Sequence, residues 1–132
     1  MPERIQLRRT KGWRKHPDAI VVARPSVFGN PFTVAQCQEW LGPMSVGDAR
    51  RYCVDGFRRW IAGSDEEWPV PESERTRRRM VEALPRLIGH DVACWCRPTD
   101  PCHGDVLLVL AEDLALIRAS PPQAATDGMG DL

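Results

Sequence analysis

The segment Asp91-Val92-Ala93-Cys94-Trp95-Cys96-Arg97-Pro98-Thr99-Asp100-Pro101-Cys102-His103-Gly104-Asp105 decides the fold of this chain. Its first six residues are mostly apolar and read as a buried strand. Two prolines between 97 and 101 forbid regular structure there. From Gly104 to about Leu116 the spacing predicts a helix. The apolar run Val106 to Leu110 also suits a strand, but Asp105 in the first turn and the continuation Ala111-Glu112-Asp113-Leu114 favour the helix. A strand that turns directly into a helix is the building unit of a parallel α/β sheet.

Working outward, Ile5-Gln6-Leu7 alternates and predicts a strand at 4–8, followed by the basic turn Arg8 to Arg14. Ala19 to Ala23 is compact and β-branched, a second buried strand. The stretch Arg24-Pro25-Ser26-Val27-Phe28-Gly29-Asn30-Pro31-Phe32 is irregular by composition. Thr33 caps a short helix through Trp40, which Gly42-Pro43 ends. Ser45 caps a longer one, in which Ala49, Tyr52, Cys53, Phe57, Trp60 and Ile61 recur at three- and four-residue spacing as one apolar stripe. Residues 63–72 form an acidic loop. A third helix spans about Ser73 to Leu87, with Pro85 bending its last turn. The expected fold is a small Rossmann-like α/β domain of two or three layers around a short, mostly parallel sheet. It occupies residues 1–119 as one domain, and 120–132 form a polar tail expected to be disordered.

Composition narrows the function classes. The chain has 132 residues, of which 42% are hydrophobic, enough to pack one interior. Its 18 basic and 18 acidic residues cancel, which argues against general nucleic-acid binding. All basic residues but Lys11 and Lys15 are arginines, a skew that reads as genome composition and lowers the weight of any single arginine. No apolar run approaches the ~20 residues that span a bilayer, so no membrane partner is expected. The first residues also lack the apolar segment of a secretory signal. A cytoplasmic location is the expectation. In that reducing compartment, three cysteines within residues 94–102 read as reactive or metal-binding rather than as disulfides.

Two chemistries suit Cys94, Cys96, Cys102 and His103. One is a reactive or ligand-contacting thiol at a helix N-terminus. The dipole, worth about 1 kcal/mol, lowers a thiol pKa by only ~0.7 unit, so His103 or an arginine must assist. The other is zinc, since the four residues have the right softness. Adjacent Cys102-His103 ligands strain a tetrahedron, however, and no metal is expected on these four. Strand alternation puts Cys94 and Cys96 on one face and Trp95 on the other. Cys37 and Cys53 lie on helical stripes and belong to the core. His16 and His90 sit in polar turns and receive no role.

Several separated motifs then carry a resemblance. Arg4 to Arg9, Gly12-Trp13, Arg24-Pro25-Ser26, Gly29 to Phe32, Cys94-Trp95-Cys96 and Pro101 to Leu107 resemble, in this order, domain of unknown function 4326, a bacterial and phage family. The likeness covers roughly residues 4–113 and implies order and class, with no activity attached. A weaker likeness is to domain of unknown function 488, which carries Cys, Glu two residues on, and then Cys-His-Arg. Cys94 and Cys102 match that family's eight-residue spacing, Cys96 stands at the Glu, and Gly104 replaces the Arg.

Ligands of open α/β sheets bind beyond the carboxyl ends of the strands, where helix N-termini present free N–H groups. The expected function is therefore binding of a small anionic ligand such as a nucleotide or nucleoside derivative, with its transformation left open between enzyme and binder. Cys102 and His103 stand at its reactive centre and Cys94 and Cys96 beneath it. Asn30, Arg9 and Arg24 lie across the cleft, and Asp105 at the helix start. The loop Arg24 to Phe32 is expected beside Cys102 and His103, because loops leaving parallel strands open on one edge. The rival reading is a non-catalytic interaction module stabilised by zinc on the Cys-Cys-Cys-His cluster.

Overall fold

Val92, Ala93 and Cys94 are all buried, as befits a strand covered on both faces. In the computed structural model, which describes residues 1–64 and 74–119, they form the centre of a three-stranded parallel sheet. The strands are β1 (Arg4–Gln6), β2 (Ile20–Val21) and β3 (Val92–Cys94), in the order β1-β3-β2. Arg4 pairs with Val92 and Gln6 with Cys94 on one side, and Ile20 pairs with Val92 on the other. The ladder runs on through Leu7 N–H to the Cys94 carbonyl (2.7 Å) and Val22 N–H to the Ala93 carbonyl (2.8 Å). The carboxyl ends of all three strands thus reach one edge.

Among the described residues, four helices complete this small α/β domain: α1 (Val34–Leu41), α2 (Val46–Ile61), α3 (Glu74–Ala83) and α4 (His103–Ala119). The two predicted caps are present, Thr33 accepting from the Gln36 N–H and Ser45 from the Asp48 N–H. The predicted third helix divides. Pro85 has no N–H and its ring obstructs an α-helical turn, so Leu84–Leu87 continue as a 3₁₀ turn. The expected stripe on α2 is buried except for Tyr52, which is exposed. The acidic loop from residue 65 onward and the tail beyond 119 lie outside the described residues. No helix among the described residues is long and apolar enough to cross a membrane.

Helix α4 packs against β1 and β3 and against α2, burying Val106, Leu107 and Ala111. Its close approach to the sheet depends on Gly104. A Cβ there would lie 2.9 Å from Cδ of Arg4 and 3.5 Å from Val92 Cγ2. Arg4 cannot swing aside, because its guanidinium is pinned (below). Gly104→Ala gains ~1 kcal/mol of helix propensity but meets ~1–3 kcal/mol of overpacking. The expected outcome is a net loss of stability, read as a lower urea midpoint at unchanged m-value. A gain would show that α4 can back away from Arg4.

Candidate functional site

The strand-to-helix junction is built around Arg4, whose side chain is only 7% exposed. Its Nε donates to Asp105 Oδ1 (2.9 Å), Nη1 to the Arg97 carbonyl (3.1 Å) and, at 3.9 Å, to Cys94 Sγ. Nη2 donates to the carbonyls of Pro98 (3.0 Å) and Asp100 (2.9 Å). A guanidinium has five N–H donors, and all five are used. They tie the Pro-containing loop to β1 and to the start of α4, beside the loop's own bond from the Asp100 N–H to the Arg97 carbonyl (3.0 Å).

That loop folds three thiols together. The Sγ atoms of Cys94, Cys96 and Cys102 all lie within 4.8 Å of one another. Cys94 and Cys102, both buried, are 3.2 Å apart as free thiols. The strand ends at Cys94, so the alternation expected to align Cys96 does not extend that far. The turn after the strand brings Cys96 in instead. Thiol hydrogen bonds from Cys102 and Cys96, with help from Arg4, hold the Cys94 thiol far below the usual thiol range, against opposing desolvation. Cys102 is held high by that same bond to Cys94, by Cys96 and by burial.

His103 faces the opposite wall. Its Nε2 lies 3.0 Å from the Val22 carbonyl and 2.9 Å from that of Phe28. Carbonyls only accept, so Nε2 carries the proton and Nδ1, 3.8 Å from Cys102 Sγ, is the unprotonated nitrogen. Burial lowers its pKa, keeping the ring neutral although the carbonyl hydrogen bonds favour the cation. The ring also packs edge-on to Phe57, 5.2 Å between centroids. The juxtaposition of loop 24–32 with the Cys102-His103 junction is thus made by His103 itself.

Asn30 is buried, and its side chain is engaged by backbone: Nδ2 donates to the Cys53 carbonyl (3.3 Å) and Oδ1 accepts from the Phe32 N–H (2.9 Å). Whatever Asn30 does for a ligand, it holds the loop. Arg24 donates Nη1 to the Asn30 carbonyl (2.7 Å). Its Cα and Cγ press on Gly29, where a Cβ would come within 2.7 Å of Cγ.

Between loop and junction lies a cleft of about 350 Å³. Of the residues singled out in the sequence, Cys94, Cys96, Cys102, His103, Asn30 and Arg24 line it. Arg9 approaches indirectly, its guanidinium 4.6 Å above the Trp95 ring. Asp105 does not line the cleft: it is spent on Arg4 at the helix start. The sequence reading missed Arg4, Arg50 and Trp95. Arg50 lines the cleft and pairs with Asp100 at 2.6 Å. The helical pattern of α2 marked Arg50 as the solvent face, and only the contact with residue 100 recruits it.

Two outcomes follow for the frame of the site. Arg4→Lys keeps the charge but loses the fork that gathers the carbonyls of Arg97, Pro98 and Asp100, and should cost about 1–3 kcal/mol in urea unfolding. A cost under ~1 kcal/mol would mean the loop holds itself. His103→Ala should lower stability by ~2–4 kcal/mol through two unpaired carbonyls and a cavity. A near-unchanged melting temperature would show the ring to be dispensable for the frame. Asn30, placed across the cleft as a ligand contact by the sequence, is tied to the backbone in the same way, so Asn30→Ala should also lower the melting temperature.

Comparison with known proteins follows this geometry. No curated protein and no solved structure matches the chain. A family model does match, over residues 5–113, a span that begins within β1 and contains the Arg24 loop, the three thiols and most of α4. The chain belongs to the family described as domain of unknown function (DUF4326).

Proposed function

We propose that this domain binds a small anionic ligand, of nucleotide or nucleoside type, in the cleft between loop 24–32 and the Cys-His junction. The observation that carries the reading is the cleft's charge. Arg24 and Arg50 line it, and no lining residue is acidic. Arg50 is matched by Asp100, whereas Arg24 has no carboxylate partner among the described residues. Two guanidinium groups and no carboxylate therefore line one concavity of an otherwise neutral chain, where low-dielectric walls strengthen their hydrogen bonds to an anion.

The other walls suit a ligand with an aromatic part. Trp95 and Phe32 offer ring surfaces, and Thr33 a hydroxyl. A volume of about 350 Å³ lies at the small end of ligand pockets, which favours a mononucleotide or nucleoside over a dinucleotide. The position, beyond the carboxyl ends of parallel strands, is where Rossmann-like domains bind nucleotides. In this reading Cys102 and His103 stand nearest the reactive end of the ligand, and the thiol cluster is the chemical group it meets. Arg9, stacked on Trp95, extends the positive field to the rim.

Calorimetric titration with nucleosides and nucleoside monophosphates tests this. Saturable binding is expected, weakened about tenfold or more by Arg24→Gln, the loss of one charge-assisted hydrogen bond. Glutamine keeps the stem atoms that pack on Gly29 but gives up the Nη1 bond to the Asn30 carbonyl, so the two affinities are compared at a temperature where circular dichroism shows both proteins folded. Absence of saturable binding by the whole set, or equal affinity in Arg24→Gln, would refute the proposal.

A further inference from the structure

We infer that Cys94, Cys96 and Cys102 form a binding site for one thiophilic divalent cation of the zinc class, held by three sulfurs with its fourth position open to the cleft. The three Sγ atoms converge from a strand end, a turn and a helix start, all within 4.8 Å of one another. Thiolates about 2.3 Å from a tetrahedral metal are separated by about 3.8 Å along each edge. The observed spread, from 3.2 Å between Cys94 and Cys102 up to that limit, brackets this edge. Small rotations about the Cα–Cβ bonds suffice to seat the ion.

The objection raised by the sequence, that neighbouring Cys102 and His103 cannot both ligate without strain, does not touch a three-sulfur set. His103 is committed elsewhere, its Nε2 on the Val22 and Phe28 carbonyls. The surroundings of the sulfurs also suit metal-bound thiolates. Arg4 Nη1 donates to Cys94 Sγ, and the Gly104 N–H donates to Cys102 Sγ at 3.4 Å. N–H donors of this kind orient ligands and offset the charge of a three-thiolate centre. Cys94, Cys96 and Cys102 all line the cleft, so a fourth ligand arrives from there. Three protein ligands and one open position mark a zinc site that acts on a bound molecule rather than one that only staples a fold. The metal site stands on the sulfur geometry alone. Only the role of its open position rests on the ligand reading above.

Cobalt titration of the reduced, metal-free protein decides the matter, with Co²⁺ as the probe and Zn²⁺ as the competitor. One equivalent should bind, giving tetrahedral d–d bands and sulfur-to-cobalt charge transfer with the intensity of three thiolates. Zn²⁺ should bleach both. Cys96 is only half-buried, so Cys96→Ser should stay folded by circular dichroism. It should lose about a third of the charge-transfer intensity and more than the ~10–100-fold in affinity that disturbing an outer-shell partner costs. His103→Gln should retain the three-thiolate spectrum, and added azide should shift the d–d bands by entering the open position. No stoichiometric Co²⁺ or Zn²⁺ binding overturns the site, as does a spectrum indifferent to Cys96→Ser. Bands that change with His103→Gln, or ignore azide, overturn the open position. Because no nucleotide enters these measurements, the metal site can fail while the ligand reading survives, and the reverse.

Discussion

One guanidinium organises the strand-to-helix junction of this fold. Arg4 stands at the start of β1, yet its five donors reach across β3 to the loop of residues 97–100, to Cys94 and to the first turn of α4. Ordering an exposed loop costs backbone entropy, which its own Asp100-to-Arg97 bond offsets only in part. A single pre-formed fork meeting three carbonyls offsets it with little further side-chain entropy. The rest follows from this arrangement. Gly104 must lack a side chain because the arginine stem passes there, and α4 can begin close to the sheet because Gly104 does.

The opposite wall is tied by a second polar group. The His103 ring bridges the carbonyls of Val22 and Phe28, so the helix start grips the loop that leaves β2. Asn30 and Arg24 then close that loop on itself and on α2. Arg4 and His103 thus lie on either side of the thiol cluster and hold the two walls of the cleft at a set distance. The polar side chains of the site are satisfied mainly by backbone, which gives a concavity whose walls are held in place.

Much of this was legible in the sequence, for identifiable reasons. Helices α1 and α2 announced themselves through Thr33 and Ser45 caps and a 3.6-residue stripe. The apolar run at 91–94 could only be an interior strand, and its junction with α4 located the site. The meeting of loop 24–32 with Cys102 and His103 followed from strand direction alone. What escaped was whatever depends on side chains crossing the sheet. Arg4 looked like one arginine among many in an arginine-rich chain, because nothing local distinguishes a buried cation from a solvated one. Cys96 joined the cluster through a turn whose path spacing cannot specify. Asn30 and His103 were correctly placed at the cleft, but their hydrogen-bond partners are backbone carbonyls and amides that a sequence does not display.

The central claim is that two segments seventy residues apart form one anion-receiving concavity at the thiol cluster. Backbone and indole amide chemical shifts, followed while a nucleoside monophosphate is titrated into the isotope-labelled protein, test it most directly. The account predicts that Arg24, Gly29, Thr33, the Trp95 indole, Cys102 and Gly104 shift together along one saturation curve, with α3 unmoved. Shifts confined to one of the two segments, or centred on the exposed face of α4 at Val109 and Ile117, would contradict it.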